Sequence, residues 1–205
     1  MTAGVFLDAA SVFIFALTGA LAASRAQLDI VGFLFFAALT AVGGGTVRDL
    51  LLDRHPVFWM DQPQVLGIAA IAAVSVFFTA HLVESRANWL TWLDAVALSI
   101  AVPAGLAAAV ASGQTGIIAP IMGVLTGTLG GLMRDVVANE VPMVLRRGEL
   151  YVTAAFLGAV AGWFAGTFGD ALLAALVAAV VTFSLRAGSL IFGWKLPVYR
   201  SRPPR

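Results

Sequence analysis

The chain has no cysteine among its 205 residues. Disulfides, thiol nucleophiles and cysteine metal sites are therefore excluded. Charge is scarce too: 11% of residues are Asp, Glu, Lys or Arg, against about 25% in a typical soluble domain. With 60% hydrophobic residues and a mean hydropathy of +0.96, there are too few polar side chains to clothe a water-facing surface. Only two histidines occur, and HExxH, GxSxG and GxxxxGK[ST] patterns are absent, so no enzyme, metal centre or cofactor is expected. Nothing points to a nucleic-acid partner. No Lys or Arg precedes Arg25, so the basic region that opens a secretory signal is not read here.

What the chain does have is apolar runs. Crossing roughly 30 Å of hydrocarbon at about 1.5 Å per residue takes about 20 residues. Seven stretches qualify, near 5–24, 30–53, 64–83, 90–111, 117–139, 150–168 and 170–191. The break at Gly169–Asp170 is tight enough to make the last two an antiparallel hairpin. With seven spans, one side of the membrane carries Arg25, Arg86, Arg146, Arg147, Lys195, Arg200, Arg202 and Arg205, and the other only Arg54. The excess of basic residues places the C-terminus in the cytoplasm and the N-terminus outside. The basic tail suits contact with anionic lipid. Trp59, Trp89, Trp92, Tyr151 and Trp194 fit interfacial anchoring and, equally, ordinary packing.

A displacement of 86 residues aligns the chain with itself. Leu7-Asp8-Ala9 falls on Leu93-Asp94-Ala95, Gly19 on Gly105, Thr40 on Thr126, Gly44-Gly45 on Gly130-Gly131, Arg48-Asp49 on Arg134-Asp135, and Pro56 on Pro142. Each copy holds three spans, and an odd number makes the second copy enter from the opposite side. The expected fold is an all-α integral membrane protein: seven transmembrane helices as two inverted three-helix repeats plus a seventh helix. The expected divisions are residues 1–83, 84–169 and 170–205, the last holding the seventh helix and basic tail.

The second span of each repeat carries consecutive glycines, Gly43-Gly44-Gly45 in one and Gly130-Gly131 beside Gly127 in the other. Adjacent glycines cost roughly 1 kcal/mol each in a helix and leave the backbone free to kink. The reading preferred here is a broken helix lining a conduit, with hydroxyls from Thr40, Thr46, Thr126 and Thr128. Close helix packing is the alternative, and for Gly158, Gly162 and Gly166 it is the preferred one.

Asp8, Arg48, Asp49, Asp94, Arg134 and Asp135 lie within or at the edges of apolar spans. A charge at the membrane centre costs at least about 2.5–3.5 kcal/mol, so such groups pair and face inward. The repeat proposes Asp8–Arg48 and Asp94–Arg134 as partners at opposite mouths of one conduit. Snorkelling of Arg48 and helix capping by Asp8 and Asp94 are the competing readings. Arg186 is expected to snorkel or to meet lipid, and His81 with Glu84 to sit at an interface, with a proton-sensitive pair as the other reading.

The duplicated Gly-Gly and Arg-Asp signature, with Pro56-Val57-Phe58-Trp59 and Pro142, resembles the bacterial branch of the trimeric intracellular cation (TRIC) channel family. The resemblance runs from about Leu7 into the last span. It implies a homotrimer in a bacterial inner membrane, with a pore for monovalent cations, mainly K⁺, in each subunit beside the glycine-kinked second and fifth spans. Arg134-Asp135-Val136 is similar to the Lys-Glu-Val motif of animal members, whose basic residue helps hold an anionic lipid. Some bacterial relatives are regarded as transporters. Two readings therefore stand: a passive cation channel, and a secondary transporter of a small solute such as an amino acid. A non-transporting scaffold is the third.

Overall fold

The computed structural model describes residues 3–83 and 85–199. Glu84, Arg200, Arg202 and Arg205, all invoked above, lie outside the described residues. The elements in chain order are α1 (Ala3–Arg25), α2 (Ile30–Leu51), a single turn α3 (Phe58–Asp61), α4 (Gln64–Thr79), α5 (Arg86–Ala111), α6 (Ile118–Val137), α7 (Val152–Ala165) and α8 (Ala171–Phe192). Two short 3-10 turns, Ala80–Leu82 and Met143–Leu145, follow α4 and α6. Among the described residues no strand occurs; an isolated bridge joins Glu149 to Lys195.

Five of these segments are long and apolar enough to cross a membrane: Phe6–Arg25, Ile30–Leu51, Gln64–Leu82, Arg86–Ala111 and Ala171–Phe192. The other two expected spans differ for physical reasons. At 20 residues, α6 has the length, but its glycines, threonines and Arg134-Asp135 dilute its apolar character. The sixth span is shorter than expected: α7 has only 14 residues, about 21 Å of helix.

Local chemistry fixes the ends. Asp29 precedes α2 and its carboxylate accepts from the Gly32 amide at 2.9 Å; Asp170 does the same for α8, accepting from Leu173 at 2.8 Å. Each satisfies an amide that the first turn leaves unpaired. Gly193 ends α8 at φ 69°, a left-handed stop that a side chain would resist. The hairpin expected at Gly169–Asp170 is present, with α7 packed along α8.

The duplication persists in the backbone. Gln27 and Gly113, 86 residues apart, both take positive φ (55° and 79°). Asp53 and Asn139, again 86 apart, do so at 52° and 55°. Small apolar side chains, chiefly alanine, let the helices approach: α1 packs on α2 and α5, α5 on α6, and α2 crosses α6 at the centre. α4 covers α1 and α2, while α7 covers α6 and α5. α8 lies outside the repeat, against α7 and α5.

At that central crossing the glycines act differently from the expectation. α2 and α6 are continuous helices through Gly43–Gly45 and Gly130–Gly131. No backbone is unwound there. Instead, a Cβ at Gly44 would overlap the Thr126 carbonyl, and a Cβ at Gly130 would overlap the Thr40 carbonyl. Each helix presses its glycine against the other's main chain, a close approach that a side chain at either position would prevent. The contact is reciprocal: Gly44 meets the counterpart of Thr40, and Gly130 meets Thr40 itself. Gly43 lies against Met133, Gly45 against Phe58, and Gly127 against Leu98 and Val102. The α7 glycines fulfil the packing reading: Gly158 lies against Thr182 and Ala178, and Gly162 against Ala178 and Ala174.

Candidate functional site: two buried charge clusters flanking a helix crossing

Near its C-terminal end, α2 buries Arg48 completely, and α6 does the same with Arg134; both side chains are 0% exposed. A guanidinium without water must find carboxylates. Arg48 donates through Nη1 to Asp8 Oδ1 at 2.8 Å and through Nε to Asp49 Oδ1 at 2.8 Å. Arg134 donates through Nη1 to Asp94 Oδ1 and through Nε to Asp135 Oδ1, both at 2.8 Å. The pairs inferred from the duplication are thus the pairs present. Snorkelling of Arg48 is excluded by its burial. Capping by Asp8 and Asp94 is excluded by position, since both lie inside their helices rather than ahead of them.

The second acid of each cluster has another task. Asp49 Oδ2 accepts the amide of Phe58 at 2.8 Å, at the start of α3. Asp135 Oδ2 accepts the amide of Met143 at 2.9 Å, at the start of the matching 3-10 turn. Each Arg-Asp dipeptide therefore ties a helix in its own repeat to the turn that follows it.

The clusters are not equivalent. Around Arg48, the Asp8 side chain is 19% exposed, Arg54 adds a 3.2 Å bond to Asp49, and Phe58 stacks 5.4 Å from the guanidinium. Around Arg134, Asp94 is 0% exposed, and Thr18 of the first repeat accepts from Nη1 at 2.9 Å. Nothing in the spacing pointed to Thr18, because its counterpart in the second copy is Ala104.

Between the Arg48 cluster and the crossing lies a narrow cavity lined by Asp8, Ser11, Thr40, Gly44, Gly45 and Thr126, closed by Phe15, Ala41, Phe58 and Ala101. Its room for water centres is about 10 Å³, about what one water needs. The hydroxyl protons around it are committed: Ser11 donates to Asp8 O, Thr40 to Phe36 O and Thr126 to Met122 O, at 2.9, 2.7 and 2.7 Å. The hydroxyl oxygens keep lone pairs, and the one ionised group on the wall is a carboxylate. Thr46 and Thr128 lie elsewhere, donating to Val42 and Val124; Thr46 also accepts from Trp59 Nε1 at 2.9 Å. Of the expected polar residues, the structure brings Asp8, Thr40 and Thr126 to one wall.

Arg186 corrects an expectation. It does not snorkel. Its side chain is 0% exposed, 2.8 Å from Glu149 Oε2, and its guanidinium lies 5.1 Å from the centre of the Tyr151 ring. A charge in a span needs a partner, and Glu149 ahead of α7 is the acid within reach.

A bundle with paired charges buried at its centre and apolar helices outside defines a multi-pass membrane protein. The comparisons agree. A family model described as "Glycine transporter" matches the chain twice, at residues 5–81 and 91–167, a displacement of 86 residues. The UPF0126 inner membrane protein YadS of Escherichia coli is 37% identical over 197 residues, 95% of each chain. The UPF0126 membrane protein of Vibrio cholerae is 35% identical over 195 residues, 94% of this chain and 81% of its own. Among solved structures, the TRIC trimeric intracellular cation channel orthologue from Rhodobacter sphaeroides superposes with a TM-score of 0.90 at 44% identity, covering 94% of this chain and all of that one. A second TRIC cation channel gives 0.86 at 27% identity, covering 97% and 98%. The chain belongs to this family, as a bacterial member of the TRIC group. The solved relatives are ion channels rather than enzymes, and the likeness supports a cation channel.

Proposed function

We propose that the protein is a monovalent cation channel, conducting mainly K⁺, with a path inside each subunit along the crossing of α2 and α6. Seven helices cross the membrane as two inverted repeats plus α8, with the N-terminus outside, the C-terminus in the cytoplasm and three subunits to the assembly. The reciprocal contact of Gly44 with Thr126 and Gly130 with Thr40 supports a two-fold relation between the repeats, and three spans in each repeat make that relation an inversion. The observation that carries the cation reading is the cavity wall. Its hydroxyls have spent their protons on carbonyls, so Ser11, Thr40 and Thr126 present oxygen beside the Asp8 carboxylate. Such a wall replaces part of a cation's hydration shell and offers an anion nothing. Arg48 and Arg134, held by their acids, close the two ends as gates, and the glycine crossing is where α2 and α6 shift when they open.

Purified protein in planar bilayers is expected to give unitary currents whose reversal potential follows the K⁺ gradient and ignores Cl⁻. Asp8→Asn removes the one carboxylate on the wall and leaves Arg48 less neutralised. A unit charge at 4 Å in water is worth about 1 kcal/mol, about fivefold in an equilibrium, so the K⁺ over Cl⁻ permeability ratio is expected to fall about fivefold. An unchanged ratio would remove Asp8 from the path. The description of the matching family model keeps one other reading in view. Saturable, gradient-coupled glycine uptake by proteoliposomes, without unitary current, would replace the channel with a transporter.

A further inference from the structure

The Arg134 mouth has a neighbour that the Arg48 mouth lacks. Tyr151, buried just ahead of α7, points its hydroxyl into the space beside Gly131. A Cβ built on Gly131 would lie 3.4 Å from the Tyr151 hydroxyl, 3.4 Å from Asp94 Oδ1 and 3.6 Å from Arg134 Nη2. These three groups share one small volume. Tyr151 Oη and Asp94 Oδ2 are both buried without a hydrogen-bond partner among the described residues.

The other face of Tyr151 meets α8. The Arg186 guanidinium stacks on its ring at 5.1 Å and holds Glu149 at 2.8 Å, two residues before Tyr151. Arg186 is the only ionised residue in α8. The loop between α6 and α7 is fastened to the same end of that helix. Leu196 donates to Gly148 O at 2.9 Å, Leu150 donates to Ser189 Oγ at 3.4 Å, and Ser189 donates to Trp194 O at 3.0 Å. Under the 86-residue displacement, Glu149 and Tyr151 fall on Pro63 and Val65. The first repeat therefore has neither the charge nor the aromatic ring, and α8 has no counterpart.

We propose that Arg186, Glu149 and Tyr151 are positioning residues for the Asp94–Arg134 gate, through which α8 and the segment after it set how firmly that end of the conduit is closed. The inference rests on the channel reading. Its logic is mechanical: α8 holds Glu149 and Tyr151 through one cation, and the Tyr151 hydroxyl stands in the space it shares with Asp94 and Arg134. Withdrawing the Tyr151 hydroxyl, by substitution or by movement of the ring, takes a polar neighbour away from Asp94 and Arg134 and gives the pair room to part.

The test is single-channel recording of wild-type protein, Tyr151→Phe, Glu149→Gln and Arg186→Lys, with thermal unfolding of each in the same detergent. Tyr151→Phe removes a hydroxyl without a hydrogen-bond partner and is expected to leave the unfolding temperature within a few degrees. Its open probability, and that of Glu149→Gln, is expected to change about fivefold or more, the usual lower range of coupling between sites. Unitary conductance stays the same, because none of the three lines the cavity. Arg186→Lys keeps the charge but not the planar stack and is expected to fall between wild type and Glu149→Gln. A double variant, Tyr151→Phe with Glu149→Gln, is expected to change gating less than the product of the single effects, as for residues acting through one contact. Should Arg186→Lys fail to fold, the other two decide the matter. Wild-type currents with open probabilities of both variants within twofold would overturn the positioning role and leave the channel intact. An absence of wild-type current would overturn both.

Discussion

Gly44→Leu is expected to yield no folded protein, and Gly44→Ala to be destabilised despite the better helix former. Two effects compete. Alanine in place of glycine favours a helix by about 1 kcal/mol. Against that, the new Cβ meets the Thr126 carbonyl of the crossing helix, which is main chain and cannot swing aside. Overpacking of a closely fitted site costs about 1–3 kcal/mol, and more where the backbone must move. The crossing therefore wins, and Gly44→Ala is expected to lose stability while leucine separates α2 from α6 altogether. The same holds for Gly130 against the Thr40 carbonyl. Size-exclusion profiles and thermal unfolding in detergent read the outcome. A Gly44→Leu protein that elutes and unfolds like the wild type would mean the helices do not touch there. By contrast Gly67, with nothing near its hypothetical Cβ, is expected to accept alanine with a gain of up to about 1 kcal/mol.

Asp94→Ala is expected to cost about 3–5 kcal/mol, the range for stripping a buried ion pair of one partner. The argument is one of exposure. Asp94 and Arg134 are both 0% exposed, so water cannot rehydrate the guanidinium, which keeps only the neutral Thr18 hydroxyl and Asp135, itself holding the Met143 amide. Asp8→Ala in the first repeat is expected to cost less, since Asp8 is 19% exposed and water can enter where it stood. Unfolding temperatures of the two variants give the order directly. Adding Arg134→Met to Asp94→Ala is expected to recover little of the loss, because Asp135, paired to the same guanidinium at 2.8 Å and only 5% exposed, is then left without a cation. Equal losses for Asp8→Ala and Asp94→Ala would contradict the difference in burial between the clusters.

Much of this site could be read before any coordinates. Charge in an apolar span has few ways to survive, so Arg48 and Arg134 had to find acids, and the displacement named Asp8 and Asp94. The repeat itself was legible because Asp, Gly-Gly, Arg-Asp and Pro recur in one register, and even the positive φ of Asp53 and Asn139 follows it. The glycines were harder. Consecutive glycines permit both a kink and a close crossing, and composition alone cannot separate them; the partner helix decides, and it is far away in sequence. Thr18 escaped notice for a related reason: its bond to Arg134 runs between repeats and has no twin. Arg186 with Glu149 and Tyr151 lies outside the duplication, so comparing the halves could not find it. The hydropathy run of the sixth span outreaches α7 at both ends, because Leu150 and Tyr151 before it and Gly166, Thr167 and Phe168 after it extend the run while belonging to the flanking turns.

The matched contacts at the crossing also bear on how such a chain could arise. A surface on which Gly44 receives Thr126 and Gly130 receives Thr40 is self-complementary: one half-length polypeptide could make the same embrace with a second molecule of itself. An ancestral gene encoding only three helices would then have worked as a homodimer, inserted both ways up in the bilayer. Fusion of two copies would fix that dimer in a single chain, and each half would then be free to drift alone, as the partly exposed Asp8 and the fully buried Asp94 illustrate.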